Sequence, residues 1–203
     1  ELTIAEILEP LYRQSGDFQK LIGVHEVQVR RSDDPGRRVE LLHQIAALYE
    51  DAGGDLASAF DTYARALAED PSLDTTQEGI DRLARATGRF ADLAKVFEDL
   101  AAKQQEPPLA SSLYTMSARV YEGDLADMDN AIRHYRTVLS IDAQALHAAE
   151  SLERIFHGAE RYEELSQILQ QKADILDDPN DKKTALFAAA SLEEDILGRH
   201  DAA

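Results

Sequence analysis

Apolar residues recur three and four positions apart along nearly the whole chain, the period of one face of an α-helix. Leu42, Ile45, Ala46 and Tyr49 stand at i, i+3, i+4 and i+7. Gly53-Gly54 interrupts that run, and Ala59, Phe60, Tyr63, Ala66 and Leu67 begin another. Asp70-Pro71 closes it, because proline has no amide hydrogen with which to extend the helical ladder. Ile80, Leu83 and Ala84 precede Gly88, and Leu93, Val96, Phe97 and Leu100 follow it, again at helical spacing. Only Val24–Val29, VHEVQV, alternates as a strand would. The pattern predicts about eleven helices near residues 3–14, 18–31, 37–51, 56–69, 75–87, 90–104, 109–122, 128–140, 145–157, 162–176 and 182–197, with ends uncertain by ~2–4 residues.

These helices repeat in a register of 72 residues without a gap. Phe18, Phe90 and Tyr162 coincide, as do Leu21, Leu93 and Leu165, then Val24, Val96 and Ile168. Tyr49 meets Tyr121, Ala59 meets Ala131, Tyr63 meets Tyr135 and Leu67 meets Leu139. The segments aligned with VHEVQV do not alternate, which removes the strand reading. An acid-proline step occurs three times in this register, at Asp34-Pro35, Glu106-Pro107 and Asp178-Pro179. Proline suits the first turn of a helix and an acid favours that end, so each step marks the turn between helix pairs. The pairs run over approximately 1–34, 35–71, 72–106, 107–143 and 144–178 on this register, and the last helix, 179–203, has no predicted mate. Pro10 is expected to kink or delay the first helix.

The segment Leu41–Pro71, LLHQIAALYEDAGGDLASAFDTYARALAEDP, resembles the tetratricopeptide repeat. Ile45, Ala46 and Tyr49 match the family's large–small–aromatic run, Ala59 its small residue at the helix crossing, Tyr63 its neighbouring aromatic, and Ala66 and Pro71 its end. The segment Leu113–Asp142 matches nearly as well, with Ala143 in place of the proline. In the alternate pairs Leu21, Leu93 and Leu165 replace the small residue. The resemblance implies an all-α, right-handed superhelical solenoid of antiparallel helix pairs forming a single domain. It implies a concave wall made by the first helix of each pair, which the family uses to hold peptides or extended protein segments. Tyr49, Tyr63, Tyr121, Tyr135, Phe18, Phe90 and Tyr162 fall at its packing positions and are expected in the core.

Composition narrows the chemistry. The 203 residues carry a net charge of −18, which disfavours nucleic acid and anionic lipid as partners. There is no cysteine, hence no disulfide and no thiolate nucleophile or metal ligand. No apolar run approaches the ~18 residues of a membrane helix. The start lacks the marks of a signal peptide and an initiator Met, so the chain reads as a fragment or processed product of a longer array, cytoplasmic with the periplasm not excluded. Arginine outnumbers lysine and alanine is abundant, as in a GC-rich bacterial source. His25-Glu26 begins like a zinc-protease motif but lacks the second histidine. Asp124–Asn130 lacks the glycine and closing glutamate of a calcium loop and aligns with the inter-helix turn at Gly53–Ala59. No phosphate loop, nucleophile elbow or dinucleotide fingerprint occurs. The expectation is therefore a non-enzymatic chain without cofactor or metal.

By the resemblance, the wall carries Glu6, Arg13, His43, Glu50, Glu78, Arg82, Arg85, Arg119, Glu122, Glu150, Arg154 and His157 among others. Arg13, His43, Arg82, Arg85, Arg119, Arg154 and His157 are the candidate partner-binding set. The planar guanidinium pairs carboxylates at two points, so a row of arginines suits an acidic peptide or a C-terminal carboxylate. The alternative is a solvated face in which Glu78–Arg82 and Glu150–Arg154 act as i, i+4 supports worth ~0.2–0.5 kcal/mol each. The matching wall lacks the Asn and Lys of the family's carboxylate clamp for chaperone tails. The function expected is a scaffold binding a peptide or protein segment. The alternative is a structural spacer or homotypic assembly element that associates through its terminal helices.

Overall fold

The computed structural model describes residues 2–198, apart from the side chains of Leu2, Thr3 and Glu6. Among the described residues there are eleven α-helices and no strand: α1 (Leu2–Ser15), α2 (Phe18–Arg31), α3 (Pro35–Leu48), α4 (Leu56–Glu69), α5 (Asp74–Thr87), α6 (Phe90–Ala101), α7 (Pro107–Gly123), α8 (Met128–Ile141), α9 (Leu146–Gly158), α10 (Tyr162–Ile175) and α11 (Pro179–Ser191). The helices fall at the predicted positions. Single π-helical turns extend α3 over Tyr49–Gly53 and α11 over Leu192–Ile196, which the apolar spacing does not reveal. Pro10 sits inside α1, whose start is not delayed.

The turns explain the punctuation. Asp17, Asp55 and Asp127 accept the amide hydrogen three residues on, and Asp34 accepts that of Gly36, so each caps a helix start. At the acid-proline steps Asp34 and Asp178 are themselves the caps, while Glu106, one methylene longer, makes no such bond. Gly54 and Gly88 end their helices at φ 62° and 70°, a region that favours glycine.

The chain forms two compact units that divide after Val96, within α6. In the first, each of α1 to α4 packs on the next helix in sequence. Ile22, Val29, Leu41, Leu42, Ile45 and Ala66 form a core there, with Phe18, Leu48 and Tyr49 against its edge. In the second, each of α7 to α10 packs on the next helix, and Tyr135, Leu152, Phe156 and Leu165 lie in the core. Full burial of such side chains contributes about 1.5–3 kcal/mol each. Of the seven aromatics expected in the core, Tyr135 is fully buried and the other six are half-buried at its edges. The deepest aromatics include Phe60 and Phe156, each 1% exposed.

Candidate interaction surface

In the first unit α3 and α5 lie side by side on the first-helix face. His43 Nε2 is 2.8 Å from Thr76 Oγ1. Glu50 receives both terminal nitrogens of Arg82, at 2.7 and 2.9 Å. Tyr63 of α4 rests on Gly79 and its ring lies 5.3 Å from that of His43. The second unit repeats the arrangement between α7 and α9. Thr115 Oγ1 is 3.1 Å from His147 Nε2, and Glu122 receives Arg154 at 2.6 and 3.1 Å. Tyr135 donates its hydroxyl to the same carboxylate at 2.9 Å.

Each pair is asymmetric. The Glu50 and Glu122 side chains are 15% and 17% exposed, whereas Arg82 and Arg154 are 57% and 62% exposed. The carboxylate lies beneath and the guanidinium faces solvent. Hydrogen bonding to Glu50 and to Glu122 holds Arg82 and Arg154 above their usual pKa, and burial pushes Tyr63 and Tyr135 up. A guanidinium has five N–H donors, so a two-point pair leaves donors to spare.

This corrects the expected pairing within helices. Arg82 and Arg154 do not close i, i+4 bridges to Glu78 and Glu150 but reach the preceding first helix, 32 residues back. Glu50 and Glu122 are less exposed than the rival acids, and a less solvated carboxylate attracts a cation more strongly. Glu150 retains a through-space attraction to Arg154. Of the other candidates, Arg13 bridges Glu9 at 2.9 Å and Arg85 bridges Asp81 at 2.9 Å. Arg119 and His157 are exposed, and among the described residues no carboxylate hydrogen-bonds Arg119. The Glu6 side chain lies outside the described residues. The structure thus groups His43 with Arg82 in the first unit, while Arg119 and Arg154 both act electrostatically around Tyr135 in the second. Arg13 stands apart on α1.

Arginine is not peculiar to this face. On the second helices, or just before one in the case of Arg89, Arg65 meets Glu26 at 2.6 and 2.9 Å, Arg89 meets Asp61 at 2.8 Å and Arg133 meets Glu98 at 3.0 Å. The residues that sequence reasoning undervalued are Glu50, Glu122, Tyr63 and Tyr135. A spacing of 32 from acid to arginine that recurs after 72 residues was the available signal. Among the described residues no cluster of His, Asp or Glu has the geometry to hold a metal ion, and no helix is long and apolar enough to cross a membrane.

The tetratricopeptide-repeat family model matches residues 6–39 and 148–183. Those stretches begin in α1 and α9 and end in α3 and α11, and the same helix-pair register links them through the unmatched middle. Over those two stretches the chain carries tetratricopeptide repeats. Solved structures similar to this tetratricopeptide-like chain include MamA, at 15% identity, covering 94% of this chain and 97% of that one with a TM-score of 0.42. The P58(IPK) tetratricopeptide domain is 14% identical, covering 96% and 56% with a TM-score of 0.38. Yeast Sti1 TPR2AB, in a structure titled as a complex with pHSP90, is 16% identical, covering 100% and 85% with a TM-score of 0.33. The family assignment rests on the repeat match and the helix register. No curated relative matches the chain significantly.

Proposed function

We propose that this tetratricopeptide-like chain is a non-enzymatic scaffold whose first-helix faces bind a peptide or protein segment bearing carboxylates. The observation that carries the reading is the repeated pair, Glu50–Arg82 and Glu122–Arg154, with its acid beneath and its guanidinium outward. Arg82, Arg85 and His43 form the contact set of the first unit, with Arg13 on α1. Arg119, Arg154 and His157 form that of the second. A ligand carboxylate takes the spare donors of Arg82 or Arg154 without displacing the internal acid. Arg119, with no carboxylate to release, is the strongest single contact. Because the paired arginines are already neutralised, the preferred segment mixes acidic and polar residues instead of being a dense acidic tract. The net charge of −18 disfavours nucleic acid.

The test compares affinity capture from the source lysate by the native chain and by an Arg119→Glu variant, which breaks no internal ion pair. A prey held by the native chain and lost by the variant supports the reading. A prey that persists in both sinks the first-helix face as the site. The assembly-element alternative draws on the exposed apolar residues Ile4, Ile7, Leu186 and Phe187 at the terminal helices, and predicts capture of the chain alone in both cases.

A further inference from the structure

The helix α11 buries Ala185 and Ala189 against its neighbours and leaves the opposite side open. There Leu186 and Phe187 are 51% and 63% exposed, beside an apolar groove of about 530 Å³. The 72-residue register shows what such a face normally carries, since α11 stands where α7 and α3 stand one and two repeats earlier. Leu186 corresponds to Leu42, which is 2% exposed under α4. Ala190 corresponds to Ala46 and Ala118, both 0% exposed where α4 and α8 cross with their own alanines, Ala59 and Ala131. Lys182 corresponds to Arg38, which meets Glu69 of α4 at 2.5 Å. The resemblance to α3 is closer than to α7, because α3 and α11 both end in a π-helical turn.

We infer that the open face of α11 is a docking site for one amphipathic helix that packs as α4 packs on α3. The helix has a small residue to cross Ala190, a large apolar residue over Leu186, and a carboxylate ten residues beyond the small one, as Glu69 lies beyond Ala59, to meet Lys182. Three features select this occupant. The crossing position keeps its alanine, which is useful only to a helix that approaches closely. The basic residue at the Arg38 position calls for an acid, and Lys183 adds a second cation beside it. The competing occupant, α1 of a second copy, exposes Ile4, Ile7 and Leu11, all large. The site uses none of the residues of the proposed contact sets and stands or falls independently of them.

The probe is a fluorescent peptide with the sequence of residues 55–70, added to the full chain and followed by anisotropy. Saturable binding is expected, at least tenfold weaker for an Ala190→Leu chain of unchanged circular dichroism, and equally weakened when the peptide carries Ala59→Leu. A peptide with Glu69→Lys should bind less tightly and lose the salt dependence of the native sequence. Leu186→Glu supplies a second variant should Ala190→Leu misfold, and Ile7→Glu should leave binding unchanged. Absence of saturable binding, or binding indifferent to both α11 variants, overturns the proposal. A native chain that sediments as an oligomer and is made monomeric by Ile7→Glu as well as Leu186→Glu overturns it in favour of a second copy.

Discussion

Replacing Gly79 by alanine sets two effects of opposite sign against each other. A glycine within α5 costs about 1 kcal/mol relative to alanine, so the substitution should favour the helix. The added Cβ would stand 2.4, 2.7 and 2.9 Å from Cε1, Cζ and Cδ1 of Tyr63. Carbon atoms in contact prefer about 3.5–4.0 Å, so the ring must withdraw by roughly 1 Å. It is not free to do so, being packed beside the His43 ring, whose centroid lies 5.3 Å away. Overpacking of this kind costs about 1–3 kcal/mol, so Gly79→Ala should destabilise the chain by a net ~1 kcal/mol. The decisive arm is the same substitution in a Tyr63→Ala background. With the ring gone the clash disappears and only the helical gain remains, so Gly79→Ala should there stabilise by ~1 kcal/mol. Urea melts followed by circular dichroism at 222 nm read both values and their coupling. The reasoning fails if Gly79→Ala stabilises the native chain, or if its effect is the same in both backgrounds.

Three further outcomes follow from the geometry. Glu122→Ala strips a charged acceptor from the buried Tyr135 hydroxyl and should cost about 1–3 kcal/mol in a urea melt, whereas Glu50→Ala, beside the half-exposed Tyr63, should cost about 1 or less. Asp127→Ala removes the cap of α8 and should cost about 0.5–2 kcal/mol at neutral pH. Its bonds to Asn130 hold the Asp127 carboxyl below its ordinary value, so its contribution is full above about pH 4 and is lost as pH falls through the folded pKa, and the variant should show a shallower acid-side decline. Phe156→Ala, at 1% exposure and beneath the guanidinium of Arg161, should cost about 3–5 kcal/mol by thermal or urea melting.

Helix positions and turns were legible because each rests on local facts: apolar spacing, glycine at a helix end, and an acid before proline. The π-helical turns at Tyr49–Gly53 and Leu192–Ile196 were not legible, since one extra residue per turn leaves no mark on the apolar period. Arg82 and Arg154 were placed on the first-helix face by the repeat pattern, but their partners were misjudged. Helical spacing offers the nearest acid in sequence, while the observed partner comes from a neighbouring helix and wins through its lower exposure, a property of the packed state. The sequence shows the aromatic register without showing depth, because whether Tyr63 or Tyr135 sinks further depends on what lies opposite, Gly79 in one case and Ser151 in the other.

The contact between successive first helices shows that the register preserves a place for an interaction and not the residue that makes it. In the first unit the imidazole comes from α3, as His43, and the hydroxyl from α5, as Thr76; in the second the hydroxyl comes from α7, as Thr115, and the imidazole from α9, as His147. Position 43 corresponds to 115, position 75 to 147 and position 76 to 148, where alanine stands. The triple variant His43→Thr/Thr75→His/Thr76→Ala therefore writes the second unit's contact into the first. His43→Thr alone strands the buried Thr76 hydroxyl and should cost about 1–3 kcal/mol. The triple variant should recover most of that loss. The pH profile gives an independent readout. Desolvation lowers the pKa of His43, so the unfolded chain binds that proton more readily than the folded one. Its neutral form is stable above the ordinary value of about 6.5, and stability declines as pH drops below it. That part of the decline should vanish in every variant lacking His43, while the neutral-pH stability returns only in the triple. If the triple variant is no more stable than His43→Thr alone at pH 7.5, the two contacts are not equivalent and the register fixes less of the interface than the helix positions imply.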